Sequence, residues 1–370
     1  MTHGPALVTG ATGFLGSALT AHLLETEEDD VFCLVRPKDG QPPVQRLVES
    51  LTGYALWQPE WAGRVHVITG DLAEPALGLS DSDRRRLVDE VARVFHCGAV
   101  VNAGLPYART RGPNVSGTAE VLRLASTGRP KQVAHVSTSS VLWSTANAGQ
   151  TVDETTPMSG PDGIPAGYMR SKWDAEQLTA EARGRGLDVR TFRLGPLGGH
   201  TRTGASNTAG MRWLMLRVCA ELGLAPVLGA RDWWLSWAPV DFVSAAIVAL
   251  TAAPPAEPDI YHLVERNEVP WPQVFSWMRR KGYKLAMADV RRWQERVLAA
   301  VGDSGTSIGF FAASIDADDH GRPVLPAKVL STLTDDRLAE MGMRCPELTA
   351  ELFGFYLDVG VRQGILPPPS

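Results

Sequence analysis

Tyr168 and Lys172 are the residues of this chain best suited to move a proton. They stand four positions apart in Tyr168-Met169-Arg170-Ser171-Lys172, so a helix brings both side chains to one face. A phenol with a reference pKa of about 10 delivers a proton near neutrality only with help from a positive charge and a cofactor ribose, and Lys172 supplies the charge. A chance pair with this spacing is common, and here the order of the surrounding elements raises its weight. Upstream, Gln132-Val133-Ala134-His135-Val136-Ser137-Thr138-Ser139 starts largely apolar and ends in hydroxyls. Such a cluster can cap a turn, but its place ahead of the Tyr-Lys pair favours a catalytic part. Thr138 would hold a substrate carbonyl oxygen while Tyr168 delivers a proton as negative charge develops there.

These groups need a second reactant, and the N-terminus points to one. Leu7-Val8-Thr9-Gly10-Ala11-Thr12-Gly13-Phe14-Leu15-Gly16 follows a short apolar run and precedes residues with helical apolar spacing, so its glycines fall on a strand-to-helix turn. Gly10 permits the tight turn, Gly13 lets the backbone approach a pyrophosphate, and Gly16 allows close packing of helix on strand. The spacing is Gly-x-x-Gly-x-x-Gly, a partial match to the commonest dinucleotide fingerprint. The next strand, Val31-Phe32-Cys33-Leu34-Val35, is continuously apolar, as suits a strand buried on both faces, and ends in Arg36. An acidic residue about 20 positions after the glycines would hold ribose hydroxyls, whereas an arginine there accommodates a 2′-phosphate, so the site reads as built for NADPH. Arg46 either reinforces that phosphate contact or is a solvated arginine on a helix surface.

The elements that position these residues alternate as strand and helix, which predicts an α/β, Rossmann-like, doubly wound parallel sheet. Val65 to Leu72 is the third strand, with Asp71 placed to meet an adenine edge, and a helix from Asp81 to Val91 follows. Val94 to Ala99 is the fourth, small at its C-terminal end where a cofactor crevice would lie. A helix through Asn114 to Ala125 leads to the fifth strand, and Val189 to Leu194 reads as the sixth. The 370 residues suffice for two cores. Residues 1–195 are expected to bind cofactor and carry the Thr-Tyr-Lys set. Residues 196–370 are expected to form a smaller, mostly helical substrate domain, with about 236–265 returning to the sheet.

The formal charge of −5 argues against nucleic acid as a partner. No apolar run approaches the roughly 20 residues that span a bilayer, so no membrane partner is expected. The early first strand leaves no room for a secretory signal, which makes the cytoplasm the expected location. Cys33, Cys97, Cys219 and Cys345 are far apart, with no Cys-x-x-Cys pair and no histidine at ligand spacing. Neither a metal site nor a disulfide framework is expected.

In this order of motifs the chain resembles the extended short-chain dehydrogenases/reductases. It is similar, more narrowly, to the thioester reductase domains that terminate nonribosomal peptide and polyketide synthetases and to those of carboxylic acid reductases. The narrower likeness rests on the glycine turn, Cys33-Leu34-Val35-Arg36 with Arg46-Leu47, and Gly70-Asp71-Leu72 followed by Leu77-Gly78-Leu79-Ser80. It continues through His96 with Ala99, Tyr107, Asn114-Val115 with Gly117-Thr118, Val136-Ser137-Thr138 with Val141, and Tyr168 with Ser171-Lys172-Trp173. Arg193-Leu194-Gly195 with Gly198, Thr203-Gly204 with Asn207, and Pro239-Val240-Asp241 complete it, over roughly residues 5 to 265.

The resemblance implies that Thr138, Tyr168 and Lys172 are catalytic. It implies cofactor contacts from Gly10, Thr12, Gly13, Phe14, Leu15, Gly16, Arg36, Arg46, Asp71, Leu72, Ala99, Asn114, Lys172, Leu194 and Gly195. It further implies an acyl or peptidyl carrier protein as partner, whose phosphopantetheine-bound thioester would be reduced by NADPH to an aldehyde, or onward to a primary alcohol. Two other readings stay open from the residues: an extended reductase or epimerase of a nucleotide sugar or small carbonyl, which Arg36 disfavours, and a fatty acyl-CoA reductase. A noncatalytic dinucleotide sensor is disfavoured by the complete Thr-Tyr-Lys set.

Beyond about Val189 the sequence speaks less clearly. Met211 to Leu222 reads as an amphipathic helix, Trp271 to Gly282 and Asp289 to Ala300 look helical, and Pro346 to Gly364 reads as a last helix. Trp233, Trp234 and Trp237 read as core or lid, with a wall of the acyl pocket as the alternative. The Leu-Pro-Pro-Pro-Ser ending is expected to be disordered. Arg279, Arg280, Lys281 and Lys284, with Arg291, Arg292 and Arg296, form a basic stretch in an acidic protein; it is either a docking surface for an acidic carrier or a solvated helical face. The chain is expected to be a monomeric domain excised from a larger synthetase.

Overall fold

A computed structural model describes residues 3–38, 40–102, 104–164, 166–228, 234–301 and 327–369. Its centre is a parallel seven-stranded sheet made of β1 (Ala6–Thr9), β2 (Val31–Val35), β3 (Val65–Thr69), β4 (Arg93–His96), β5 (Gln132–Thr138), β6 (Val189–Leu194) and β7 (Ile260–Leu263). Across the sheet the strands run β7-β6-β5-β4-β1-β2-β3. The order reverses between β1 and β4, which opens a crevice at the C-terminal strand ends. Ala6 pairs with Val31 on one side and with Arg93 on the other, so β1 is an interior strand at that reversal.

The described helices are α1 (Phe14–Thr26), α2 (Pro43–Gly53), α3 (Asp81–Glu90), α4 (Tyr107–Arg111), α5 (Gly117–Ser126), α6 (Gly167–Gly184), α7 (Met211–Leu222), α8 (Val240–Ala252), α9 (Trp271–Arg280), α10 (Val290–Val301), α11 (Thr332–Glu340) and α12 (Ala350–Arg362). The helix expected to begin at Asn114 is instead two helices joined by a π-helical turn, Gly112–Ser116, that contains Asn114. Such a turn widens the helix by one residue and lets a buried side chain be re-aimed.

Alternate strand residues face opposite sides of the sheet. Val8, Val31, Cys33, Phe95, Ala134, Val136, Phe192, Leu194, Tyr261 and Leu263 join one apolar core with residues of α1 and α8. Leu7, Phe32, Leu34, Ile68 and Val94 join a second with residues of α3 and α5. On that second side the row continues as His96, His135, Ser137, Thr191, Arg193 and His262, every one of them buried. This half of the sheet, beneath α6, is therefore polar rather than oily.

A separate apolar core holds the C-terminal helices together, with Trp213, Leu216, Cys219, Trp237, Trp271, Phe275, Met278, Trp293, Phe353 and Tyr356. Trp237 is 2% exposed, stacks on Trp213 at 5.6 Å and meets Phe353 and Tyr356 rings at 6.2 and 6.0 Å. It is core; Trp233 and the Trp234 side chain lie outside the described residues. Gly199 and Gly204 link this body to the sheet: the Tyr356 hydroxyl donates to the Gly199 carbonyl at 2.7 Å. A Cβ on Gly204, whose φ is +71°, would sit 2.4 Å from Val359. The proline-rich ending is ordered as far as described, because Leu366 is buried in this core and the Tyr283 hydroxyl donates to the Pro367 carbonyl.

A second link ties the segment after β5 to the C-terminal arm. Thr151–Val152 pairs in parallel with Lys328–Val329. Glu154, 2% exposed, accepts from the Thr334 amide at 3.0 Å and the Thr334 hydroxyl at 2.7 Å, placing its carboxylate at the N-terminus of α11. Among the described residues no helix is long and apolar enough to cross a membrane. Replacing Trp237 by Ala is expected to lower unfolding free energy by about 3–5 kcal/mol, measured as a shift of the urea midpoint.

Candidate active site

The glycine turn leaves β1 as a cradle that only glycine can line. Gly10 has φ +70°, and a Cβ there would lie 2.7 Å from Gly98 backbone atoms. A Cβ on Gly16 would lie 2.1 Å from the Gly10 carbonyl oxygen, and the Gly13 amide donates to that carbonyl at 2.8 Å. Gly13 is the N-cap of α1, and no side chain caps the helix or places an acid in its first turn. The amides of Phe14, Leu15 and Gly16 thus begin a helix whose positive end faces the crevice. Thr12 closes the turn through its carbonyl, which accepts from Ser50.

Arg36 stands at the end of β2 with its side chain 65% exposed, 4.0 Å from the Asp71 carboxylate at the end of β3. Arg46, on α2, donates to the Arg36 carbonyl, so two guanidinium groups converge on one strand end. Leu72 packs against Gly98 and Gly117, where Cβ atoms would meet Leu72 atoms at 2.5 and 2.7 Å. Ala99 follows on the same edge, partly exposed. Leu194 is buried, and the amide of Gly195 donates to the Leu263 carbonyl at the far end of the crevice.

A buried chain of hydrogen bonds joins the cradle to the Tyr-Lys helix. The Gly98 amide donates to Thr9 Oγ1 at 3.1 Å, and Thr9 Oγ1 lies 2.7 Å from His96 Nδ1. His96 Nε2 lies 3.0 Å from Thr118 Oγ1, which donates to the Asn114 carbonyl at 2.6 Å. Each hydroxyl has one proton, so Thr118 accepts from Nε2–H, and Nδ1 accepts from Thr9. His96 is therefore the neutral Nε2–H tautomer, consistent with burial, and secondarily Lys172, pushing its pKa down to about 3. Asn114, 1% exposed, accepts from the Val100 amide at 2.7 Å and donates to Ser171 Oγ at 2.9 Å; Ser171 donates to the Tyr168 carbonyl at 2.7 Å. Asn114, expected as a cofactor contact, joins α6 to the loop after β4 through its side chain.

The three chemical groups meet at the C-terminal end of β5. Thr138 lies close enough to Tyr168 to act on its phenol, and its Oγ1 donates to Ser140 Oγ at 3.1 Å and accepts from the Ser140 amide at 3.2 Å. Burial pushes the Tyr168 phenol up to about 12, against the opposing pull of Thr138, so it carries its proton throughout the working range. Lys172 is 2% exposed and donates to the Val136 carbonyl at 2.6 Å. Burial brings its ammonium down to about 8, while the nearby Cys97 and Glu176 favour the charged form. The result is a neutral acid next to a hydroxyl donor, with a cation one helical turn behind, on the side of the sheet where the cradle opens.

The motifs along the chain assign no role to the buried His96, His135, Thr118, Ser171 and Glu176. The available signal was polarity out of place, as in Phe95-His96 and Ala134-His135-Val136 within apolar strands. His135 has no hydrogen-bond partner on either ring nitrogen among the described residues, and burial, with Lys172 and His96 adding to it, keeps it neutral.

A parallel sheet with this strand order, a glycine cradle at its switch point and a Tyr-Lys helix beside it defines a nicotinamide-dependent reductase of the short-chain type. The NAD-binding family described as "Male sterility protein" matches residues 8–247. One of the polypeptides of the linear gramicidin synthase of Brevibacillus parabrevis is 32% identical over 366 residues, covering 98% of this chain and 7% of that protein. Glycine betaine reductase ATRR of Emericella nidulans is 36% identical over 330 residues, covering 86% of this chain and 26% of that protein. The chain thus spans only a small part of the length of these curated relatives. The terminal R domain from the myxalamid PKS-NRPS pathway superposes with a TM-score of 0.89 at 36% identity, covering 100% of this chain and 93% of that one. A thiolation-reductase di-domain from an archaeal non-ribosomal peptide synthetase shares the fold, with a TM-score of 0.81 at 22% identity over 98% of this chain and 76% of that one. This chain belongs to that NAD-binding family, among the extended short-chain dehydrogenases/reductases that serve as terminal reductase domains of peptide and polyketide synthetases, and is an oxidoreductase.

The ammonium form of Lys172 is present below about 8 and is lost as pH rises through that value. Reduction is expected to decline along an alkaline limb centred near it. The pH dependence of kcat/KM, corrected for the stability of the reduced cofactor, checks this.

Proposed function

We propose that this chain performs NADPH-dependent reductive release of an acyl or peptidyl thioester from the phosphopantetheine arm of a carrier protein. The product is an aldehyde or, where a second reduction follows, a primary alcohol. The observation that carries this reading is the grouping of Thr138 and Tyr168 at the end of β5 with Lys172 buried one turn behind, on the edge where the glycine cradle opens. The residues fit the cofactor. A cradle that any Cβ would fill and an uncapped helix N-terminus suit a pyrophosphate, and the exposed Arg36 with Arg46 beside it suits a 2′-phosphate. Asp71, Leu72, Ala99, Leu194 and Gly195 would line the rest of the groove.

The bound nicotinamide would supply hydride to the thioester carbonyl carbon. Thr138 holds the carbonyl oxygen, and Tyr168 gives it a proton as charge develops. Lys172 would stabilise the phenolate left behind by its positive charge and would help to hold the cofactor ribose. The hemithioacetal then loses the carrier thiol and leaves the aldehyde. Residues 1–195 would do this chemistry and residues 196–370 would receive the acyl chain and the carrier, in a monomeric, cytoplasmic domain of a larger enzyme.

For the carrier, the basic stretch of the C-terminal helices is the candidate surface. Its cations are not equivalent. Arg279 is tied to the Leu285 carbonyl by two hydrogen bonds at 3.1 and 3.0 Å, and Lys281 pairs with Asp358 at 2.7 Å. Lys284, Arg291, Arg292 and Arg296 lie along the same stretch, all four exposed, and Arg292 and Arg296 share a face of α10. Charge reversal at Arg292 and Arg296 is expected to raise KM for a carrier-bound thioester and to spare a small soluble one; equal loss on both removes docking from this surface.

The assignment is tested by NADPH oxidation followed at its near-ultraviolet absorbance, first with an acyl thioester and then with the matching aldehyde. Consumption with the thioester is expected, and consumption with both marks an alcohol product. Tyr168→Phe and Lys172→Ala should each lower kcat by roughly a hundredfold or more, with circular dichroism unchanged. Arg36→Ala should raise KM for NADPH far more than for NADH. Silence with both substrates despite tight NADPH binding overturns the reading.

A further inference from the structure

The polar stripe beneath α6 contains one ion pair that the reaction as derived does not use. Glu176 sits one turn beyond Lys172 on α6 and is 3% exposed; Arg193 on β6 is 1% exposed. The guanidinium grips the carboxylate with Nε at 3.2 and 3.1 Å from its two oxygens and one terminal nitrogen at 2.8 Å. Ser137, immediately before Thr138, donates to the same carboxylate at 2.5 Å. The other terminal nitrogen of Arg193 lies 3.3 Å from His262 Nε2, and His262 Nδ1 lies 2.7 Å from the Leu330 carbonyl, so His262 is the neutral Nδ1–H tautomer. One carboxylate thus joins the strand that carries Thr138 to the helix that carries Tyr168 and Lys172, and is itself clamped from β6.

We propose that the Glu176–Arg193 pair is a positioning device for the reduction, holding Thr138 in register with Tyr168 and keeping a carboxylate charge beside Lys172. This rests on the thioester-reductase reading of the same site. A buried pair of this kind is seldom retained for stability, since burying two charges costs about as much as their attraction returns. Here it has a task that apolar packing lacks. The groups facing Lys172 are Tyr168 and Glu176 from its own helix, His96 and Cys97 at the end of β4, and His135 from β5; Arg183 lies two turns beyond Glu176 on α6 and is held to the Val189 carbonyl at 2.8 Å. Both histidines are neutral and the Cys97 thiol is pushed up to about 12 by burial, so Glu176 is the one carboxylate among these groups. It favours the lysine's charged form.

The test uses Glu176→Gln and Ser137→Ala in the full chain, each checked for folding by thermal melt. Lys172 is titrated by NMR of nitrogen-labelled lysine with no substrate present, and kcat and KM are measured with thioester and with aldehyde. Glu176→Gln is expected to move the Lys172 titration and the alkaline limb to lower pH and to lower kcat roughly tenfold or more, with KM for NADPH little changed. Ser137→Ala, which leaves the ion pair whole, is expected to lower kcat without moving the titration. A folded Glu176→Gln protein with the parent titration and kcat overturns the proposal, and so does parent kcat in Ser137→Ala. Should Glu176→Gln fail to fold, Ser137→Ala alone decides the positioning role. Because the titration needs no turnover, a parent protein silent on both substrates would fail the thioester reading without deciding the electrostatic part.

Discussion

An ammonium group removed from water is the costly object around which this site is built. Lys172 is 2% exposed, and burial pulls its pKa down to about 8 against the opposing influence of Cys97 and Glu176. The fold answers with directed groups instead of solvent: the Val136 carbonyl at 2.6 Å and a carboxylate one turn away. The same demand explains why half of one sheet face is polar. Side chains that would otherwise interdigitate as oil are histidines, a serine, a threonine and an arginine, each placed by strand alternation beneath α6. The opposite face carries the ordinary apolar load with α1 and α8.

A second constraint is steric, and it acts at the cradle. Gly10, Gly16 and Gly98 bring three stretches of backbone closer than side chains allow. What holds them there is the hydrogen-bonded line through Thr9, His96, Thr118, Asn114 and Ser171. The line fixes a single imidazole tautomer and ends on the carbonyl of Tyr168, so the part of the protein that receives phosphates and the part that donates a proton share one rigid frame. The π-helical turn at Gly112–Ser116 is what lets Asn114 reach both partners.

Local features of the sequence were legible and non-local ones were not. The strands β1 and β2 are short apolar runs, β5 and β6 mix apolar with polar residues, the glycine turn is contiguous, and Tyr168 and Lys172 declare their shared face by spacing alone, so the parallel α/β fold and the three groups at the end of β5 follow from reading along the chain. The ordered tail was missed because its partner, Tyr283, lies 84 residues away. Arg279 looked like a free surface cation, yet the Leu285 carbonyl that engages it belongs to the following turn. The resemblance implies a cofactor contact for Asn114; what its place in the motif does not show is that its side chain joins the backbone of Val100 to the hydroxyl of Ser171. His96 and Glu176 were invisible as actors because their meaning lies in what crosses from neighbouring strands.

The contact between Glu154 and Thr334 bears on the order in which the protein is made. The two residues are 180 positions apart, and with the pairing of Thr151–Val152 to Lys328–Val329 they secure the segment that leaves Thr138. Translation proceeds from the N-terminus, and early parts of a chain can fold before later parts emerge. Here the cradle and the sheet's first strands can form while the ribosome is still at work, but the ground beyond Thr138 cannot be fastened until α11 has been synthesised. The segment that follows Thr138 is therefore fastened by residues made well after the Tyr-Lys helix, and it stays loose until residues 328–334 have emerged.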